Sequence, residues 1–373
     1  MTSKPPKGII NNHSSIMKRT ILFFTMAVWA LMSCSKETRL AQENVDNQTC
    51  ALTVSIHQDR QPGTRADEVY SKELGYETAI NSLQLLIFDN DSLLRHYCTV
   101  EKSDDGYKKT VSVTTGKKRV WAVANCSDLS GIKTEKELMG FVVKLEDNSV
   151  DATKGFVMAG CQPVEIKGSA ASATVSMSRM VGRIALCSIT NSLPKAYGAI
   201  TVNRVFISNV VGNQNLQGDA KPTLWYNKEG RMDESPMNPE HIIDGSTCKA
   251  SCESLTFKEV NSSLATGGTY KPEDSCVFYG MPNSATDTPT GFMSPFTPQN
   301  TVLVVVTTIN SKTYYYPVAI KSGIARNCSY SVYLSIIDLG SDDPNKPLQK
   351  ESLSVTVEVN KWDTSAPAII ESI

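Results

Sequence analysis

Histidine is scarce. Four occur in 373 residues, His13, His57, His96 and His241, far apart along the chain. A histidine-centred metal site or catalytic triad has little to be built from. An excess of either charge is missing as well. Lys and Arg number 37 against 38 Asp and Glu, a net charge of -1. No basic face is therefore expected for nucleic acid or for an anionic membrane. No segment sustains the 3.6-residue period of a long helix. The HExxH, GxSxG, Walker and GxGxxG patterns are absent. The 10 cysteines show no framework spacing, and several sit in apolar runs as small hydrophobes (Ala185-Leu186-Cys187, Cys276-Val277-Phe278). Cys248 and Cys252 have no second pair near them and read as loop. Asp89-Asn90-Asp91 begins like a calcium loop but lacks the Gly and the terminal Glu, so it reads as a hairpin turn. The expectation is a non-enzymatic chain with no cofactor and no metal site.

What is present is a large supply of strand. The chain is 40% hydrophobic and 20% charged, enough to bury a core. Leu52, Val54 and Ile56 alternate with Thr53 and Ser55. Leu83, Leu85 and Ile87 form one face of a run ending at Phe88. Val120 to Ala124 and Val302 to Val306 are continuous apolar runs, and Tyr314-Tyr315-Tyr316 leads into Pro317-Val318. Leu353, Val355, Val357 and Val359 alternate cleanly with Ser354, Thr356 and Glu358. Period-two patterns of this kind are half-buried strands. Thr134 and Glu137 make a capping box before one short helix. Lys228 to Asp274 reads as long loops with short embedded elements, and Pro282 to Asn300 as another loop. Many short strands with Gly, Pro and Asn punctuation indicate all-β sandwich architecture.

The N-terminal segment reads as a targeting signal. Lys18-Arg19 precede an almost wholly apolar run, Thr20 to Met32, too short to span a bilayer. It ends Leu31-Met32-Ser33-Cys34, which is similar to a bacterial lipobox in which Cys34 carries lipid. Residues 1–33 are the expected signal, with Met17 as a possible true start. Residues 34–65 are a polar tether followed by the first strand. Gln61-Pro62-Gly63-Thr64-Arg65 is a turn-rich stretch of the kind proteases nick, with Arg60 and then Arg39 as lesser sites. The body divides near Asn191-Ser-Leu-Pro194, after the run Val175 to Ile189, into residues 66–190 and 191–373.

Several segments, in order, resemble the fimbrillins, the lipoprotein-derived type V pilins of Bacteroidetes. They are Ile80-Asn-Ser-Leu83 through Ile87-Phe88-Asp89; Gly116 through Val120-Trp-Ala-Val-Ala-Asn125; and Phe156-Val-Met158-Ala-Gly160. Arg179-Met-Val-Gly-Arg183 follows, with Gly182 where the family usually has Ala. Val277-Phe-Tyr279 with Pro282-Asn283 comes next, then Arg326-Asn327-Cys-Ser-Tyr330, Gly340, Pro344, Pro347, the alternating strand and Trp362. The C-terminal block is most similar to the shaft subunit of short fimbriae. The resemblance implies two tandem transthyretin-like Greek-key β-sandwich domains with few short helices. It also implies export through the periplasm to the outer membrane on a lipid anchor. A trypsin-like protease would then trim after a basic residue, here Arg65, and subunits would polymerise with copies of themselves and related subunits. Arg179 and Asn327 are expected only as edge or turn residues. The strand of Leu52, Val54 and Ile56 would be the one removed. Leu353, Val355, Val357 and Val359, or the tail with Ile369 and Ile370, would donate its replacement. The alternative is a non-polymerising surface adhesin or glycan-binding lipoprotein, a tip or accessory subunit, whose ligand the sequence does not name.

Overall fold

The computed structural model describes residues 48–59, 74–227, 252–272, 276–284, 300–342, 352–361 and 369–372. Its first strands are β1 (Thr49–Gln58), β2 (Leu83–Asp89), β3 (Leu94–Thr99), β4 (Lys102–Ser103), β5 (Gly106–Thr114), β6 (Gly116–Ala124), β7 (Val142–Lys144), β8 (Met158–Ile166) and β9 (Ala170–Arg179). Apart from β7 they pair in the order β3-β2-β6-β8-β9-β1-β5-β4. This path folds into two layers. Among the described residues, the backbone ladder joining the layers β3-β2-β6-β8 and β9-β1-β5-β4 is the short one in which Met158 pairs with Arg179 and Ala159 with Ser178. Gly160 makes that corner possible, because a Cβ there would overlap the Ser176 carbonyl.

Alternation explains the layering. Leu83, Leu85 and Ile87 of β2 and Val120, Ala122 and Ala124 of β6 share one core. Leu52, Val54 and Ile56 of β1 and Ala173, Val175 and Met177 of β9 join it from the facing layer. The reverse face of β2 and β6 is buried too. Leu86, Phe88, Trp121 and Val123 lie in a second cluster with Leu129, Leu138 and Phe156. A strand covered on both sides has no polar face to alternate, and the sequence there runs apolar without break. The capping box forms as read: Thr134 Oγ1 accepts the Glu137 N–H at 3.2 Å, and Glu137 Oε2 accepts the Thr134 N–H at 3.2 Å. It opens helix α2 (Glu135–Met139), which follows α1 (Gly75–Thr78). The Asp89-Asn90-Asp91 segment is the β2–β3 turn. Asp89 pairs there with Lys118 and Arg95.

The later strands are β10 (Gly182–Asn191), β11 (Ile200–Ser208), β12 (Val210–Val211), β13 (Asn213–Asn215), β14 (Trp225–Tyr226), β15 (Phe257–Leu264), β16 (Thr269–Tyr270), β17 (Val277–Gly280), β18 (Val302–Ile309), β19 (Lys312–Ala319), β20 (Cys328–Ile336), β21 (Leu353–Lys361) and β22 (Ile369–Ser372). One sheet runs β16-β10-β20-β21-β22, with β17 also on β10. The other runs β15-β11-β18-β19. Pro317 is tolerated because β19 is the edge strand of its sheet.

Two expectations need correction. The run Val175 to Ile189 is two strands, and β10 pairs wholly with later strands. The change of sheet falls at Met180-Val181, not at residue 190. Both linking residues are buried, so no polar break marks the change. The stretch Lys228 to Asp274, read as long loops with short embedded elements, holds helix α3 (Glu253–Thr256), the two-residue β16 and one element longer than expected, the eight-residue β15. That strand lies at a sheet edge, and its Lys258, Glu259, Asn261, Ser262 and Ser263 hide the strand pattern.

Candidate assembly groove

β1 is an interior strand. It pairs antiparallel with β5, from Thr49 opposite Thr114 to Ile56 opposite Tyr107. It pairs parallel with β9, from Ala51 opposite Ala170 to Gln58 opposite Met177. Cys50, Leu52, Val54 and Ile56 point into the core and are at most 1% exposed. Ala51 and His57, on the other face, are exposed. Burial of the three aliphatic side chains contributes about 5–9 kcal/mol, at roughly 1.5–3 kcal/mol each. Were this strand removed, two facing edges, β5 and β9, would lose their partners together, around one apolar trench.

One end of β1 is tied into the junction with the later strands. Gln58 Nε2 donates to Thr78 O at 3.2 Å and lies 3.1 Å from Met158 Sδ. Next to it, α1 carries Glu77, which is fully buried. Glu77 Oε1 accepts from Arg183 Nε at 2.9 Å and from Tyr279 Oη at 2.5 Å, and Oε2 accepts the Leu74 N–H at 2.7 Å. Arg179 Nε donates to Glu77 O at 2.8 Å and its Nη1 to Asn327 Oδ1 at 3.2 Å. Tyr76, Phe156 and Tyr279 stack edge-on and tilted around this knot. Burial opposes the charge on Arg183, but Glu77 outweighs it and holds the guanidinium above its ordinary value. Burial first, then the Glu77 carboxylate, pushes the Tyr279 phenol well up, so it stays protonated and donates. Arg179, at 2% exposure, is a structural centre rather than the edge residue expected. Asn327 is the turn residue expected, at φ 53°, but it also anchors Arg179.

Two small clefts lie elsewhere. One, of ~400 Å³, is lined by Asn90, Ser92, Lys118, Arg119 and Glu165 among others. Its buried Lys118 is spent on Asp89, and Arg119 pairs with Glu135. The other, of ~380 Å³, is lined by Asp219, Pro222, Pro282 and Arg326 among others, and Arg326 donates there to the Leu216, Ala159 and Ser178 carbonyls. Among the described residues no group of three or more His, Cys, Asp or Glu is placed to hold a metal.

Residues 51–178 match the family of the major fimbrial subunit protein (FimA). Over those residues the chain is similar to the fimbrillin family. The match covers the layered sandwich that contains β1 and both of its neighbours. No curated protein sequence matches the chain. Solved structures share the fold. A candidate cell adhesion protein of Bacteroides eggerthii is 20% identical, with 86% of this chain and 98% of that one covered at a TM-score of 0.60. A second candidate cell adhesion protein, from Parabacteroides distasonis, is 17% identical over 84% and 99%, with a TM-score of 0.58. A fimbrilin (fimA) of Porphyromonas gingivalis is 13% identical over 85% and 98%, with a TM-score of 0.54.

The fimbrillin-like segments converge on the junction. Asn125, at φ 54°, closes β6: its Oδ1 accepts the Asn81 N–H at 2.8 Å, and its Nδ2 donates to Ala79 O at 2.7 Å and Phe156 O at 2.8 Å. Arg179, Arg183 and Tyr279 meet at Glu77, and Asn327 joins them through Arg179. The sequence reading missed Glu77 itself. Two arginines inside an apolar run were the available signal, but their partner stands a hundred residues earlier in a four-residue helix. Cys34, Arg39, Arg60 and Arg65 lie outside the described residues. Leu353, Val355, Val357 and Val359 are buried in the core of their own sheet. Ile369 and Ile370 lie on β22, the edge strand beside β21, and their side chains are outside the description.

Proposed function

We propose that this fimbrillin-family chain is a structural subunit of a surface fimbria supporting cell adhesion. It is exported as a lipoprotein on Cys34, trimmed after Arg65 by a trypsin-like protease, and polymerised by donor-strand exchange. The position of β1 carries the reading. One continuous strand fills a trench between two walls, and its only onward link, residues 60–73, includes Arg65. Cutting that link frees β1 while Glu77 keeps the new N-terminal segment fastened to Arg183 and Arg179. The emptied trench offers apolar surface and two rows of backbone donors and acceptors, which a strand from another copy satisfies. β21 supplies its own sheet with buried aliphatics, so the tail beyond it is the donor.

Among the described residues, deleting Thr364 to Ile373 removes the edge strand β22 and leaves β21 paired to β20. The truncated protein is expected to fold, to be cut after Arg65, and to remain monomeric where the full chain forms filament ladders. Normal ladders would exclude the tail as donor, and filament subunits still beginning before Ala51 would exclude exchange. A monomeric surface protein from the full chain would favour the adhesin alternative. Cys34→Ala is expected to abolish incorporation of a palmitate analogue; equal labelling would remove the lipoprotein step.

A further inference from the structure

Resting on that reading, we infer that the donor enters the trench at the Thr49 end and runs in the same direction as β1, toward the junction. Backbone pairing alone does not choose a direction. β5 and β9 run opposite ways, so a strand laid between them either way makes one parallel and one antiparallel ladder. The two ends of the trench differ. At the Gln58 end the segment 74–80 forms a roof: Gln58 donates to Thr78 O, and Tyr107 Oη donates to Ile80 O at 3.1 Å. Glu77, Arg179 and Arg183 lock that roof to the later strands. At the Thr49 end the flanking elements are two connections, Thr115 between β5 and β6 and residues 167–169 between β8 and β9. Gln48 already stands between them, accepting the Thr115 N–H at 2.9 Å, while the Ala51 N–H donates to Ser169 O at 3.0 Å. The chain at residues 48–51 thus passes between the two connections, bonded to both.

The donor's course in its own molecule fits this mouth. β10 leaves the junction at Gly182 and β20 runs parallel to it. β21 returns, with Lys361 opposite Cys328 near the junction. β22 turns outward again, with Ile369 opposite Val359 and Ser372 opposite Thr356. The chain at residues 369–372 therefore heads away from the junction. A strand leaving on that course, and entering a second copy at its Gln48 mouth, travels toward that copy's junction. It lies parallel to β9 and antiparallel to β5. Donor and acceptor surfaces are different parts of the chain, so the contact is head-to-tail and propagates without closing.

Photo-cross-linking in assembled filaments tests the direction. A photoreactive residue replaces either Ala170 or Ser176, both exposed on β9. Ala170 lies opposite Ala51 at the mouth, and Ser176 opposite His57 at the junction end. After irradiation and digestion, mass spectrometry should find Ser176 joined to residues 371–373 of another copy and Ala170 joined to residues 364–367. The opposite pattern would overturn the direction while leaving strand exchange standing. Intact filaments with no tail peptide at either site would overturn both, and recovery of the copy's own residues 51–58 would identify β1 as still in place.

Discussion

Leu52→Ala is expected to destabilise the uncut precursor by about 2–5 kcal/mol and to leave the assembled filament unchanged. The first half follows from packing. Leu52 is fully buried at the centre of a strand paired on both sides, so neither wall can move in to close the cavity that truncation leaves. Large-to-small changes in such places lose the transfer free energy and the cavity contribution together. The second half follows from the proposed exchange, in which β1 leaves and the trench takes up a strand that never contained residue 52. Urea denaturation gives the precursor value as a shift in midpoint at constant slope, and heat or denaturant dissociation gives the filament value. Filaments weakened in step with the precursor would mean that β1 stays in place and that the subunits meet by some other surface. The comparable substitution Val111→Ala, in the β5 wall, should weaken both forms.

Glu77→Ala should destabilise precursor and filament alike, by about 3–5 kcal/mol. Removing one partner of a buried ion pair leaves the other charge without compensation, and Arg183 is only 3% exposed. Glu77 also binds the Leu74 N–H and the Tyr279 hydroxyl, so three donors lose their acceptor at once. A double variant, Glu77→Leu with Arg183→Met, separates the two causes. It should recover much of the loss if the uncompensated charge dominates, as a double-mutant cycle would register. A Glu77→Ala protein within 1 kcal/mol of the parent would mean that the junction is held by packing of Tyr76, Phe156 and Tyr279 and not by the ion pair.

Half-buried strands were the readable part of this chain. β1 declares itself because its inward Leu52, Val54 and Ile56 alternate with residues that meet solvent. Leu353 to Val359 does so for the same reason. Where both faces are covered, as in β2 and β6, the strand remained visible but its partners did not. The boundary between the strand groups was misplaced because Met180 and Val181, which link β9 to β10, are themselves buried. Composition has nothing to register at such a point. β15 went unseen for the opposite reason, an edge strand made mostly of polar residues. The trench was legible only as a strand with an apolar face. Its two walls come from residues 107–114 and 170–177, and only pairing brings them to either side of residues 49–58. Glu77 lies beyond any local pattern, since a carboxylate becomes buried only when a distant arginine makes that tolerable.

The parallel ladder between β1 and β9 also sets an order in time. Ala51 cannot meet Ala170 until the intervening strands have been made and layered, and long-range parallel pairing is slow to form. β1 can meet β5 early but gains its second wall only when β9 has been made, so the first strand of the sandwich to be synthesised is among the last to complete its pairing. Under the proposed exchange, growth of the filament becomes that late pairing step carried out a second time, with a strand that another chain provides.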